Sequence, residues 1–411
     1  MRNVMAAVRE TERLISSQLG QFEEIAYDNG VRVLNAFRRN RVRENHFYGS
    51  TGYGYGDTGR AALEKIYAEV FQAEEALVRP QIVSGTHAIA ACLFALLNPG
   101  DVLLSISGRP YDTLINIIDG GQLRPHTLMK KGVEYKEVAL TGDGLPDEPA
   151  IAAAVSENTK MVIIQRSRGY TLRPAIPVDR IKRLIEVVKQ ISPDCIVLVD
   201  NCYGEFVELQ EPCGVGADLV AGSLIKNPGG GLAPGGGYIA GRADLVETVS
   251  YYITAPGLGR EMGSSLVDKR WFFQGLFIAP HTVLQALKGA VLLAALFESA
   301  GYRTEPTWNE PRADIIQTVH FSSSEQLRRF CQVVQNCSPV DSDVNLEYGQ
   351  LPGYDVPIVM AAGTFVQGSS IELSCDAPDR APYCAFMQGG LTYEHCRFVA
   401  ASLLSEMSGG N

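Results

Sequence analysis

At 411 residues and 46% hydrophobic composition, the chain can bury a substantial core and exceeds the size of one small module. A formal net charge of -10, with no dense Lys/Arg run, excludes the usual footprint of a nucleic-acid partner. Nine cysteines scattered without a C-x-x-C pair read as reduced thiols, so a cytoplasmic protein is expected rather than a disulfide-stapled one.

The opening MRNVMAAVRETERLI alternates charged and apolar residues at helical spacing and lacks the apolar core of a secretion signal. Leu14, Ile15, Leu19 and Phe22, then Ile25, Val31, Leu34 and Phe37, predict two helices in an N-terminal arm over residues 1–45. A loop rich in glycine and tyrosine follows (Phe47 to Arg60), and Asp57 or Thr58 can cap a helix carrying Leu63, Ile66, Tyr67 and Val70. Short apolar runs come next, at Val102 to Ile106, Met161 to Gln165, Cys195 to Asp200, Leu219 to Ser223 and Gly237 to Gly241, mostly separated by helical segments. Continuous apolar strands between helices predict an α/β fold with a mostly parallel central sheet covered on both faces.

The apolar stretch from Val283 to Phe297 is interrupted by Lys288 and falls short of the about 20 apolar residues of a membrane span, so a buried helix is expected and no membrane partner. The rhythm then becomes strand (Ile315 to Phe321), helix (Glu325 to Val334), strands (Val356 to Ala361, Ser370 to Ser374) and a last helix (Glu394 to Ser405), with a surface loop over Asp341 to Asp355. The expected division is the arm, a large domain over 46–290 and a smaller α+β domain over 291–411.

Three stretches carry chemistry. In SGTHAIAACLFALL, Gly85 and Thr86 open an apolar helix, and their free amides and the helix dipole suit a phosphate; an ordinary helix start is the alternative. In VLVDNCYGEF, Asp200 ends an apolar strand, where ligand crevices of α/β sheets lie. A buried carboxylate there asks for a cation such as a protonated pyridinium, unless it caps the next segment. In LVAGSLIKNPGGG, Lys226 sits between a strand and a glycine turn, with Ser223 upstream. A desolvated lysine of lowered pKa condenses with aldehydes; a surface lysine before a loop is the alternative.

In that order these motifs resemble the fold-type I pyridoxal-phosphate enzymes. GSTGYGYGDTGR, LVRPQIVSGTHAI, LVDNCYGEF and SLIKNPGGGLAPGGGYIAG resemble the methionine γ-lyase-like proteins labelled as aluminium-resistance proteins or cystathionine β-lyases, over nearly the full length. The resemblance implies pyridoxal 5′-phosphate as cofactor, held by Gly85, Thr86 and Ser223 at its phosphate, by Asp200 at its ring nitrogen and by Lys226 as a Schiff base. It also implies that Tyr111 stacks on the ring, although a core tyrosine is the rival reading. The implied activity is carbon–sulfur lysis of a sulfur-containing amino acid by β- or γ-elimination; aminotransfer, aldol cleavage, sulfhydrylation and cofactor binding without turnover are the alternatives. A homodimer or homotetramer is implied, with Tyr53 and Tyr55 reaching a neighbour's site.

Two departures stand out. Tyr53-Gly54-Tyr55 has tyrosine where better-known lyases carry a phosphate-binding arginine, and Arg60 is the candidate substitute. For the substrate carboxylate, Arg380 is the first choice and Arg168 the second. Gly54 to Gly59 matches G-x-G-x-x-G, yet polar RVREN precedes it instead of a strand, and the six histidines lack ligand spacing, so neither a dinucleotide nor a metal site is expected. His87 adjoins the phosphate cradle and suits either the cofactor or the backbone.

Overall fold

The computed structural model describes residues 2–119, 125–350 and 356–408. The opening is helical, as α1 (Arg2–Leu14) and α2 (Ser16–Arg39), but the break falls at Ile15, inside the first expected group, and Leu19 through Phe37 share the single helix α2. Their apolar residues divide: Phe22, Val33 and Ala36 of α2 are buried, while Val31 and Leu34 are turned to the outside.

Seven strands build the large sheet: β1 (Glu75–Arg79), β2 (Val102–Ser105), β3 (Glu134–Glu137), β4 (Thr159–Gln165), β5 (Ile196–Asp200), β6 (Leu219–Ser223) and β7 (Gly237–Gly241). Their order is β1-β7-β6-β5-β4-β2-β3. The steps from β3 through β6 are parallel, and β7 joins antiparallel to both β6 and β1. The apolar runs are continuous because alternate residues feed two cores: Val162, Val197 and Val220 face one, while Met161, Ile163 and Leu198 face the other.

The first core is covered by α3 (Thr58–Val70), α6 (Glu148–Ala154), α7 (Val178–Ile191) and α9 (Arg270–Ser299). The second lies under α4 (Gly85–Leu96), α5 (Asp112–Ile118) and α8 (Ala243–Ile253). Helix α9 is long and apolar enough to cross a membrane, yet 72% of its apolar window is buried in the fold. It packs on α2 through Phe37 and Phe273, whose rings meet edge-on at 5.9 Å, and it runs through residue 290.

The C-terminal part forms a second, wholly antiparallel sheet from β8 (Thr304–Glu305), β9 (Gln317–Phe321), β10 (Ile358–Ala361), β11 (Ser374–Pro378) and β12 (Tyr383–Gln388), in the order β10-β11-β12-β9-β8. Helices α10 (Ser324–Asn336) and α11 (Tyr393–Ser408) complete it. The strand expected at Ser370 to Ser374 starts only at Ser374. Glu372 accepts the amides of Phe365 and Val366 at 2.8 and 2.9 Å, which ties its segment back as a loop although Ile371 and Leu373 are buried. Of the loop expected over Asp341 to Asp355, residues 351–355 lie outside the described residues.

Candidate active site

The carboxyl ends of β5 and β6 and the start of α4 converge on one crevice. Ser84 caps α4 by accepting the His87 amide at 3.0 Å, which leaves the first helical amides directed outward. His87 itself is turned back, its Nδ1 accepting the Val83 amide at 3.2 Å. A Cβ on Gly85 would stand 3.2 Å from both Cys202 Sγ and Ser223 Cβ, so any side chain there would press the helix start away from β6 by a few tenths of an ångström. Thr86 Oγ1 lies 3.1 Å from the Tyr111 hydroxyl, and the Tyr111 amide donates to Gln165 Oε1 at 3.2 Å. Gly85, Thr86, Tyr111 and Ser223 therefore surround one space.

Asp200 closes β5 and is buried, accepting the Cys202 amide at 3.1 Å. Burial pushes its carboxyl up, and the Lys226 ammonium pulls the other way. Lys226 follows β6, and its Nζ lies 4.0 Å from the centre of the Tyr203 ring. Burial alone would lower the lysine, as expected from sequence. Cys202, Tyr203, Asp200 and Tyr111 outweigh that, and the net direction is well above the ordinary lysine range. The correction is physical: the crevice is acidic and aromatic, so it favours the ammonium.

The Asn201 to Phe206 segment is held in an uncommon shape. Tyr203 and Phe206 have φ of 70° and 63°, left-handed values that side chains other than glycine rarely take. Beneath it Arg166 is wholly buried and donates to Asn201 Oδ1 and Glu208 Oε2, both at 2.7 Å. Glu205 is also fully buried and accepts the Tyr238 hydroxyl at 2.8 Å, while Asn227, next to Lys226, donates to the Glu205 carbonyl at 2.9 Å. One network thus fixes both Tyr203 and the lysine turn.

Sequence reasoning missed the other wall. Asp376, buried in β11, accepts the Tyr170 hydroxyl at 2.7 Å and the Gln388 side-chain amide at 2.8 Å, and it is electrostatically coupled to Lys226. No local motif marks it, since Tyr170, Asp376 and Gln388 come from three separate segments.

The whole chain can then be compared with known proteins. The family model described as methionine gamma-lyase matches residues 4–408. The chain belongs to the methionine gamma-lyase family. It is 51% identical over 400 residues to the uncharacterized protein YnbB of Bacillus subtilis, covering 97% of this chain and 95% of that one. A solved structure from Listeria monocytogenes, provisionally named a cystathionine beta-lyase involved in aluminium resistance, superposes with a TM-score of 0.96 at 48% identity, over 98% of this chain and 100% of that one. A carbon-sulfur lyase involved in aluminium resistance from Clostridium novyi gives a TM-score of 0.94 at 46% identity, over 98% and 96% of the two chains. This methionine gamma-lyase family member is accordingly a pyridoxal-phosphate-dependent carbon–sulfur lyase of the expected fold.

The residues present fit that cofactor: a glycine cradle at a helix start for a phosphate, a buried strand-end carboxylate for a ring nitrogen and a lysine between them. The family's distal features are less convergent here. Tyr53 and Tyr55 are exposed, stacked on each other at 5.4 Å, and among the described residues no contact joins them to the Lys226 cluster. Arg60, the candidate substitute for the missing arginine, is buried with its guanidinium on the carbonyls of Gly54, Gly263 and Glu261, so it ties its own loop to the 261–263 segment. Arg380 is exposed and donates to the Tyr170 carbonyl at 3.2 Å. Arg168 is buried, with Nη1 on the Glu305 carbonyl at 2.9 Å and on Thr318 Oγ1 at 3.4 Å.

Proposed function

We propose that this lyase eliminates a thiol from a sulfur-containing amino acid of the cystathionine or methionine type, with Lys226 as the proton-moving residue. The observation that carries the reading is the position of Lys226 Nζ, above the Tyr203 face and coupled to the buried Asp200. Gly85 and Thr86 hold the cofactor phosphate through their amides and Ser223 through its hydroxyl, and Asp200 holds the ring-nitrogen proton. Tyr111 would lie beside the cofactor ring, where its hydroxyl could protonate the departing sulfur. The bound cofactor supplies an electron sink for the bonds broken at the substrate Cα and beyond. Lys226 would anchor it and, once freed as the neutral amine, withdraw the Cα proton at Nζ. Arg380, at the rim beside Tyr170, takes the substrate carboxylate, with Arg168 as the second candidate.

A homodimer or homotetramer fits the exposed Tyr53 and Tyr55, which complete a neighbour's site in this reading. The nine free cysteines support a cytoplasmic location. The helical arm over 1–45, the cofactor-binding part over 46–290 and the smaller part over 291–411 are proposed as the working division.

Thiol and keto-acid release from cystathionine and from methionine tests the activity. Wild-type protein loaded with cofactor should release thiol from at least one, and Lys226→Ala should abolish both this and the visible absorbance of the protein-bound cofactor. No thiol from either substrate would end the lyase assignment for this substrate class.

A further inference from the structure

A cavity of about 1080 Å³ opens between the segments leaving β2, β3 and β4 and the segment that leads from α9 into the small sheet. Arg109, Arg168, Arg173, Arg303 and Arg312 line it. Three of them, Arg168, Arg173 and Arg312, are buried at 4%, 8% and 7% exposure. Asp314 is the buried carboxylate among them, and it accepts the amides of Arg168 and Ile316 at 2.9 and 3.1 Å. The other acids of the lining are engaged elsewhere or wet: Glu208 pairs with Arg166, Glu305 with Arg303, Glu310 accepts from Thr307, and Asp143 is exposed.

The guanidinium groups, by contrast, rest largely on neutral acceptors. Arg173 donates to the carbonyls of Pro174, Gln165 and Ser167, and Arg168 to the Glu305 carbonyl and the Thr318 hydroxyl. Arg312 donates to Gln317 Oε1 at 2.5 Å, and its Nε and Nη1 have no hydrogen-bond partner among the described residues. Carbonyl staples satisfy donors without cancelling charge. Burial, joined by the neighbouring Arg168 and opposed by Asp314, brings Arg173 and Arg312 down to about 10. One buried carboxylate, Asp314, stands among three buried guanidiniums, so the cluster keeps an excess of positive charge, which is costly to bury, and planar guanidinium forks match oxyanions.

We propose that this cavity binds a small anion bearing a carboxylate or phosphate group, held by Arg168, Arg173 and Arg312. The proposal stands apart from the lyase reading, because anion binding is measurable without turnover. The test uses the holoenzyme, so that the phosphate cradle at α4 is filled, with inorganic phosphate and succinate as probes in calorimetric titration and thermal melting. Saturable binding of at least one probe is expected, together with a raised melting temperature. Arg312→Met should weaken that binding by roughly 10- to 100-fold. In anion-free buffer this variant should melt no lower than wild type, since it removes one charge of the buried excess together with two unpartnered guanidinium nitrogens. Binding of phosphate alone identifies a phosphorylated ligand, and binding of succinate alone an acidic substrate or product. If Arg312→Met does not fold, Arg312→Lys, which keeps the charge and loses the fork, provides the same readout. The site is overturned if neither probe binds saturably, or if either variant leaves binding unchanged.

Discussion

Asp200 and Asp376 are both buried acids coupled to Lys226, yet the regions that carry them are built differently. Asp200 ends a central parallel strand and is followed by a strained segment whose shape rests on the wholly buried Arg166, Glu205 and Glu211. Asp376 lies in an antiparallel strand; its partner Gln388 stands on the neighbouring strand β12, while Tyr170 comes from a distant part of the chain, and its Oδ1 has no partner among the described residues. On the first side the geometry is over-determined by local sequence and a closed polar network. On the second it exists only once two sheets have met. The strain at Tyr203 and Phe206 can persist because the first network holds it.

That difference breaks most sharply at Gly204. A Cβ there would lie 2.5 Å from Arg166 Cδ and Nε, and Arg166 cannot retreat while Asn201, Glu208 and Glu211 hold its guanidinium. Gly204→Ala should therefore cost about 3 kcal/mol of stability by chemical denaturation, as overpacking of a rigid core does. A loss under about 1 kcal/mol would mean that the network gives way.

A second, pH-dependent effect tests the same network. Burial raises the Glu205 carboxyl from 4.5 to about 8. A folded-state value above the unfolded one means that the contribution is full below pH 4.5 and is lost as pH rises towards 8. Between those limits the stability should fall by about 1.4 kcal/mol per pH unit, and Glu205→Gln should flatten that slope. Equal slopes in both proteins, measured by denaturant midpoints, would show that Glu205 is ionised in the fold.

The same contrast explains what was legible in the sequence. Asp200, Ser223, Lys226 and the Gly85–Thr86 pair stand at strand ends and a helix start, where position along the chain already defines position in the crevice. The helical character of the opening was readable from periodicity and strands β2, β4, β5, β6 and β7 from their apolar runs, whereas the break between α1 and α2 at Ile15 was not. Strand β3 was not, because its EYKE sequence is an exposed edge with charged side chains, and β12 was hidden behind Arg380 to Pro382. Tyr170, Asp376, Gln388 and the arginine cavity depend on pairing between distant segments, which spacing does not encode. The place of Lys226 after β6 was legible, but the direction of its titration was not, since the ring beside it comes from Tyr203 in another loop.

The smallest effect is the most diagnostic for that last point. If the face of Tyr203 stabilises the Lys226 ammonium, the ring matters and the hydroxyl does not. Tyr203→Phe should then change the rate at which cofactor-free protein captures pyridoxal 5′-phosphate at pH 7 by less than about twofold. Tyr203→Leu removes the quadrupole, worth roughly 0.5–2 kcal/mol, so a larger share of Lys226 is the neutral amine and capture becomes about 2- to 30-fold faster. The gain should vanish at a pH high enough to deprotonate the lysine in both proteins, which separates it from a loosened crevice, where capture would differ at every pH. Slower capture in Tyr203→Leu at neutral pH, with an unchanged melting temperature, would show instead that the ring orients the amine and does not hold its charge.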